Sequence, residues 1–288
     1  MAVGDLITAD FQYEWNQTLL VGSGTDYDVV EADGLDDLPT VDAFDIPRDA
    51  RWGSDDGTDL ARDRVATFSG ELFTDTDAEM ASLLDGLRDT LTVGPVGTLA
   101  WRHSGEEIRF VYARCRRRSI PVNHRRSVLS AVWAAQFVAV DPLVYSASQD
   151  TDSTTRTAEG SGFAVPVTPP FTLGASTSGS VRVTNAGSVA APWTGRMEGP
   201  LTDPVITNLS TGERLAFTAN GGLTLTSGEY VDMSSDGRSV LLAGTASRRS
   251  QLSLDSRWWL LPPGDTDIEL SADSGTGTFT ITWRSTWL

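Results

Sequence analysis

The sequence contains no lysine, two histidines and a single cysteine, and the scarcity of cysteine and histidine argues against several kinds of catalytic and metal site. Arginines beside Cys115 would lower the pKa of its thiol, but no histidine partner accompanies it, so we predict an unpaired strand residue. His103 and His124 lack metal-ligand and triad partners at informative spacing. No G-x-S-x-G, H-E-x-x-H or P-loop motif is present. We therefore predict a protein that is not an enzyme and needs no cofactor or metal.

Long apolar runs are also missing. No stretch of about 18 apolar residues is present, which excludes a membrane-spanning helix. The first residues lack the basic and apolar regions of a secretory signal, so we expect none. A chain of 288 residues is about twice the usual single-domain size, and it predicts two domains.

The acidic excess lies wholly in the first third of the chain. Residues 1–91 contain 22 Asp and Glu against 5 Arg, a net charge of −17, and the remaining 17 residues of each sign cancel. Such a surface repels phosphate backbones, so specific nucleic-acid binding is not expected. Two interpretations stay open: carboxylates that line a channel through which DNA passes without sticking, or a solvated face that confers solubility.

Residues 1–145 predict a β-barrel-like domain with one α-helix. Period-two alternation predicts strands over 11–15 and 65–73, among others. Thr76 and Glu79 have the spacing of a capping box, and the apolar stripe that follows them predicts the helix. Residues 44–64 are rich in Asp, Arg and Gly, which predicts a long loop.

Eight arginines lie between positions 102 and 126, and the four around Cys115 are Arg114, Arg116, Arg117 and Arg118. A nucleic-acid interface would also need exposed aromatic residues and a basic domain, whereas this domain is acidic. We predict that these four arginines form an intersubunit contact, in which the arginines of one copy meet the acidic loop of its neighbour in a ring. Pairing with the acidic segment of the same chain explains them equally well.

Residues 146–162 are almost all Ser, Thr, Asp, Gln, Gly and Ala, which predicts a linker between the two domains. Strand patterns then recur roughly every 8–12 residues through 163–288, which predicts an antiparallel β-sandwich of jelly-roll or galectin-like type. Trp258 and Trp259 would suit sugar stacking. Adjacent strand residues point to opposite faces, however, so we expect at most one to be exposed and the other to lie in the core.

The C-terminal strand blocks resemble a known family in their order along the chain. They are residues 199–208, 211–213, 230–233, 238–242, 255–264 with the turn WWLLPPG, and 268–270. This series resembles the C-terminal domain of siphophage tail components, the distal tail proteins and their relatives. Residues 68–72 (FSGEL) and 137–142 (FVAVDP) are similar to the N-terminal, ring-forming domain of distal tail proteins.

The resemblance implies a structural component of a siphophage tail tip, part of the virion and made in the host cytoplasm. In that family the N-terminal domains form a hexameric ring that continues the tail tube and docks the tail-associated hub protein. DNA passes through the lumen, and no membrane insertion is implied. The C-terminal sandwiches project outward and hold receptor-binding or other baseplate proteins. The alternative is a carbohydrate-binding adhesion module that uses Trp258 or Trp259, and a wall-degrading hydrolase is less favoured than either.

Overall fold

The structure, a computed structural model, describes residues 2–49, 51–156 and 179–288. The chain divides into two units, Met1–Ala147 with Trp287–Leu288, and Ser148–Thr286. We call them the first unit and the second unit.

The first unit is built mainly of β-strands. In chain order its strands are β1 (Gln12–Trp15), β2 (Leu19–Gly22), β3 (Asp28–Asp33), β4 (Val41–Ala43), β5 (Ile46–Pro47), β6 (Ser54–Asp55), β7 (Asp59–Ala61), β8 (Arg64–Phe73), β9 (Gly97–Arg102), β10 (Arg109–Ser119), β11 (Ser130–Ala139) and β12 (Val144–Ser146). Its helices are α1 (Asp77–Thr90) and a short 3₁₀ helix at His124–Val128.

The second unit is also made of strands, with a 3₁₀ turn at Arg249–Gln251. Its strands are β13 (Asp150–Thr155), β14 (Ser180–Asn185), β15 (Trp193–Glu198), β16 (Leu201–Thr202), β17 (Val205–Asn208), β18 (Arg214–Ala216), β19 (Thr224–Leu225), β20 (Tyr230–Ser234), β21 (Ser239–Leu242), β22 (Ala246–Ser247), β23 (Gly264–Ser271), β24 (Ser274–Gly275) and β25 (Thr278–Trp283). The last strand in chain order is β26 (Thr286–Trp287), whose Trp287 belongs to the first unit.

An open antiparallel sheet forms the framework of the first unit. Its strand order is β2-β1-β9-β10-β11-β8-β3, with β12 paired to β10. The mainly β fold is confirmed, but the described strands do not close into a barrel, because β2 and β3 stand at opposite ends of the path and do not pair. Alternate residues of β8 and β11 are buried, so one side of these strands packs into the core.

Helix α1 covers this core and confirms the prediction from the capping box. The hydroxyl of Thr76 accepts a hydrogen bond from the Glu79 N–H at 3.2 Å, and the Glu79 carboxylate accepts one from the Asp75 N–H at 3.3 Å. Met80, Leu84 and Leu87 of the helix are buried among side chains of the sheet. The apolar stripe therefore faces the sheet, as its spacing predicted.

The prediction of a loop over residues 44–64 is wrong. Strand β4 pairs with β7, from Val41 opposite Ala61, and β5 pairs with β6, with Pro47 opposite Ser54. The described residues of the range 41–61 thus form one extended β-hairpin, which we call the hairpin arm. Its strands bury neither face, and without a buried face the sequence carries no period-two signal.

The second unit is an antiparallel β-sandwich, as predicted. One sheet has the order β13-β25-β15-β20-β21-β22, the other β14-β23-β17-β18, and β19-β16-β24 form a small third sheet. The buried core includes Trp193, Met197 and Phe279 from the first sheet and Ile206 and Leu270 from the second. The two large sheets therefore bury their alternating apolar residues in a shared core.

A strand lies inside the predicted linker. Strand β13 pairs with β25 at the edge of the larger sheet, from Asp150 opposite Trp283 to Thr155 opposite Thr278. Among its residues only Thr154 is buried, because an edge strand with one solvated face needs few apolar side chains. The linker prediction is therefore wrong for Asp150–Thr155, and residues 157–162 lie outside the described part of the chain.

Candidate functional site

The predicted contact arginines lie on β10, where a β-bulge changes their orientation. The pairing of β10 with β11 shifts register between Cys115 and Arg117. Cys115 lies in the core of the first unit, Arg114 is half-buried, and the other three arginines are exposed. Burial raises the pKa of the Cys115 thiol despite the nearby arginine, so the arginines do not produce the reactive thiolate that their proximity suggested.

Arg118 is engaged within its own unit. Its guanidinium Nη1 donates to the carbonyl oxygens of Arg88 at 2.5 Å and Leu91 at 3.1 Å. These carbonyls belong to the C-terminal turn of α1, where the helix leaves acceptors without intrahelical partners and the dipole favours a cation. The arginine therefore stabilises the helix end.

Other arginines of the same region pair with carboxylates of the first unit. Arg102 lies 2.8 Å from Asp10, and Arg125 lies 2.8 Å from Glu71. A third pair joins Arg109 and Glu106 at 3.6 Å. The side chains of Arg114, Arg116 and Arg117 have no ion-pair partner among the described residues. Pairing within the chain thus explains some of the arginines between positions 102 and 126. The intersubunit role of Arg114, Arg116 and Arg117 stays a prediction.

The hairpin arm presents carboxylates and apolar side chains to solvent. Its acidic residues are Asp42, Asp45, Asp49, Asp55, Asp56 and Asp59. Four apolar side chains of the arm, Phe44, Ile46, Trp52 and Leu60, are more than half exposed, and Trp52 is fully exposed. Large exposed apolar residues with a polar surround are typical of protein–protein contact sites.

Arg64 fixes the loop that leads into the arm, and the sequence analysis missed it. It is 2% exposed, and its Nη1 donates to the carbonyl oxygens of Leu35 at 2.9 Å and Asp37 at 2.6 Å. Its Nε donates to the Pro142 carbonyl at 3.1 Å. Burial lowers the pKa of Arg64, and nearby aspartates oppose that shift. The inward alternation of β8 begins at Arg64, which was the available signal.

The two adjacent tryptophans occupy different environments. Trp259 is 5% exposed in the core of the second unit, with its ring centroid 5.4 Å from that of Trp193. Trp258 is half-buried, 6.1 Å from Trp193, and lines an open cleft. Neither residue is in a strand, since this stretch is irregular up to a single bridge at Leu261. Only Trp258 is accessible to a ligand.

Two features are absent from the described part of the chain. Among the described residues, no group of three or more His, Cys, Asp and Glu side chains is placed to hold a metal ion. Within residues 2–49, 51–156 and 179–288, no helix has the length and apolarity needed to cross a bilayer.

Comparison of the sequence with family models assigns the second unit. Residues 186–287 match the model described as siphovirus-type tail component, C-terminal domain. This part of the chain is therefore similar to the C-terminal domain of siphovirus-type tail components. The resemblance predicted from the C-terminal strand blocks is therefore confirmed. A search of curated protein sequences found no match.

Solved structures of phage proteins share the fold of this chain. The Dit protein (gp 19.1) of phage SPP1, described as a paradigm of the hub adsorption apparatus in Gram-positive-infecting phages, aligns with a TM-score of 0.68 and 14% identity, over 96% of this chain and 99% of that one. Chains of the phage P2 baseplate in its activated conformation with Ca and with Sr align with TM-scores of 0.50 and 10% identity. They cover 94% and 93% of this chain and 97% of each baseplate chain. The likeness thus extends over the first unit as well as the second.

Proposed function

We propose that this chain is a distal tail protein of a siphophage, whose first units form a ring that joins the tail tube to the hub or baseplate. The tail component domain and the likeness of nearly the whole chain to SPP1 Dit support this role. In this proposal the tail tube protein docks on one side of the ring and the tail-associated hub protein on the other. The second units carry receptor-binding or other baseplate proteins, and the chain works without catalysis at the tail tip of a virion assembled in the host cytoplasm.

The observation that carries the ring is the presence of two complementary surfaces on one unit. The hairpin arm offers six aspartates and exposed apolar residues, and β10 offers Arg116 and Arg117 without ion-pair partners in the described chain. A contact between different surfaces of identical subunits is head-to-tail, and it generates a ring when the rotation closes. Opposite charges on the two surfaces would fix the register of that contact.

A charge-swap experiment tests the ring. The full chain, with and without the tail tube protein, is sized by light scattering and imaged by electron microscopy, and we expect closed rings. Reversing the charge of β10 in the double variant Arg116→Glu, Arg117→Glu should dissociate them. Adding Asp49→Arg and Asp56→Arg to the arm should restore them, because the attraction is then re-formed with the signs exchanged.

Arg182→Glu in the second unit is the control, since it reverses the charge of an exposed arginine that belongs to neither of the two surfaces. It should leave the rings intact. A chain that stays monomeric with the tube protein present would contradict the ring. Rings that persist in the β10 double variant would contradict the contact but not the ring itself.

A second candidate function is adhesion to host-wall carbohydrate. One observation favours it: the indole of Trp258 lines an open cleft instead of lying wholly in the core. Aromatic side chains with one accessible face are suited to stacking against sugar rings. Binding of wall saccharides by the full chain, and its loss in Trp258→Ala, would support this candidate.

A further inference from the structure

The cleft beside Trp258 has a volume of about 490 Å³. Its lining residues include Glu213, Arg238, Arg249, Leu254, Arg257 and Trp258. They come from loops attached to both sheets of the sandwich, the β17–β18 and β20–β21 turns and the segment that follows β22. The volume falls within the range of ligand-binding clefts.

Three arginines give the cleft a positive charge. Arg238, Arg249 and Arg257 are exposed, and their side chains have no hydrogen-bond or ion-pair partner among the described residues. Glu213 is the one carboxylate among the lining residues.

Elsewhere in the second unit exposed arginines are paired. Arg182 lies 2.9 Å from Asp267, and Arg196 lies 2.8 Å from Asp232. The unpaired arginines of the cleft are therefore a local departure from the pairing seen on the sheets, and they leave guanidinium donors available to an anion.

The wall that carries Arg257 is held in place before any ligand binds. Asp255 accepts hydrogen bonds from Ser253 and Arg214, and the Ser256 hydroxyl accepts one from the Ala216 N–H at 3.0 Å. The charge of Asp255 is balanced by Arg214, so it does not cancel the arginines of the cleft.

The wall that carries Arg249 is fixed in a similar way. The Gln251 carbonyl accepts a hydrogen bond from the Ala219 N–H at 3.0 Å, and the Asn220 amide donates to the Ser250 carbonyl at 2.6 Å. Two walls fixed by internal hydrogen bonds lower the ordering cost of binding.

We propose that this cleft binds an anionic saccharide, with its phosphate or carboxylate groups on the three arginines and a sugar ring against Trp258. Guanidinium groups donate in a planar fork that matches carboxylate and phosphate oxygens. The indole supplies an apolar face, and the exposed Leu254 lies on the same cleft. Because the cleft is open, it suits a polymer that passes through it. The ligand class rests on the adhesion candidate above and is independent of the ring.

Calorimetry on the full chain with two matched tetrasaccharides tests the charge requirement. Tetragalacturonate carries four carboxylates, and its methyl ester keeps the sugars but removes the charges. We expect the acid to bind, with an affinity that falls as salt increases, and the ester to bind at least about tenfold more weakly. Maltotetraose phosphate in a parallel titration distinguishes phosphate from carboxylate as the preferred anion.

Variants of the arginines locate the site. Arg249→Gln with Arg257→Gln should weaken binding about tenfold or more, and Arg238→Asn should also weaken it while tolerating the left-handed backbone at φ 45°. Arg182→Gln is the matched control and should bind like the unaltered chain. Unchanged melting temperatures show that the variants are folded.

The outcomes separate this inference from the adhesion candidate. If the methyl ester binds as tightly as the acid and the arginine variants bind normally, the anionic ligand is wrong while adhesion through Trp258 stands. If neither charged saccharide nor the ester binds, the anionic-saccharide inference is overturned, and adhesion is decided separately by the binding of wall saccharides. If a hexa-aspartate peptide binds more tightly than any of the saccharides, the cleft is a protein contact and the inference is overturned.

Discussion

The guanidinium of Arg118 donates to the carbonyl oxygen of Leu91 at 3.1 Å and so joins β10 to the end of α1. The last carbonyls of a helix lack intrahelical donors, so this hydrogen bond satisfies an acceptor that would otherwise bond to water. The four neighbouring arginines of the predicted contact therefore divide into one structural residue and three others that lack such a partner.

This division predicts different stabilities for three matched variants. Arg118→Met should lower the free energy of unfolding of the first unit by about 1–2 kcal/mol, through lost charged hydrogen bonds and a lost helix-end cation. Arg116→Met and Arg117→Met should change it by less than about 0.5 kcal/mol. Urea unfolding followed by circular dichroism measures all three. Equal losses at the three positions would refute the division.

A second prediction contrasts Arg64 with its neighbour Arg62. Arg64→Met leaves buried carbonyls without their donor, and the expected cost is about 2–4 kcal/mol. Arg62 forms an exposed pair with Asp42, so Arg62→Met should cost less than about 1 kcal/mol. Urea unfolding measures both, and hydrogen exchange should increase at residues 34–37 only in the Arg64 variant. Unchanged exchange there would show that Arg64 does not hold this loop.

The helices and strands that could be predicted from the sequence are those that bury one face. Strand β8 and helix α1 each place apolar residues at a regular interval, so alternation and the capping box at Thr76 identified them. The hairpin arm and β13 bury almost nothing, and their residues follow no such interval. Their strands form through backbone pairing, for which the side-chain pattern carries no signal.

For the candidate sites, the sequence identified which residues are involved but not which contacts they make. The arginines around Cys115 were recognised, but the role of Arg118 depends on a helix end about 30 positions away in sequence. The separate roles of Trp258 and Trp259 also depend on Trp193, which lies far earlier in the chain. Contacts between distant segments follow from topology, and a single sequence does not give the topology.

The two tryptophans should differ in their effects on stability. Trp259→Ala removes a core side chain, and the expected loss is about 3–5 kcal/mol. Trp258→Ala should cost clearly less, since the side chain is only half-buried. Thermal unfolding of the full chain measures both. A Trp258 loss as large as that of Trp259 would make Trp258 a core residue and remove the indole from the cleft.

The Asp255 carboxyl should titrate at unusually low pH. Hydrogen bonds from Ser253 and then Arg214 lower its pKa from 3.8 to about 2. A lowered carboxylate pKa stabilises the fold above the unfolded value, and that contribution is lost as pH falls from about 4 through about 2. Carbon-13 NMR of the carboxyl measures the pKa, which should rise in Ser253→Ala and Arg214→Gln. An ordinary value in the unaltered chain would show that these bonds are absent in solution.

The last prediction is that carboxylates of residues 1–91 line the lumen of the proposed ring. The net charge of −17 lies wholly in that segment, and duplex DNA carries one negative charge per about 1.7 Å of its axis. Arginines facing the lumen would hold this polyanion through counterion release and would slow ejection. Carboxylates let it slide, and their repulsion is screened over about 8 Å at physiological ionic strength. Cryo-electron microscopy of the assembled tail tip would show which residues face the channel. A lumen formed by Arg114, Arg116 and Arg117, with the carboxylates on the outer wall, would overturn this prediction.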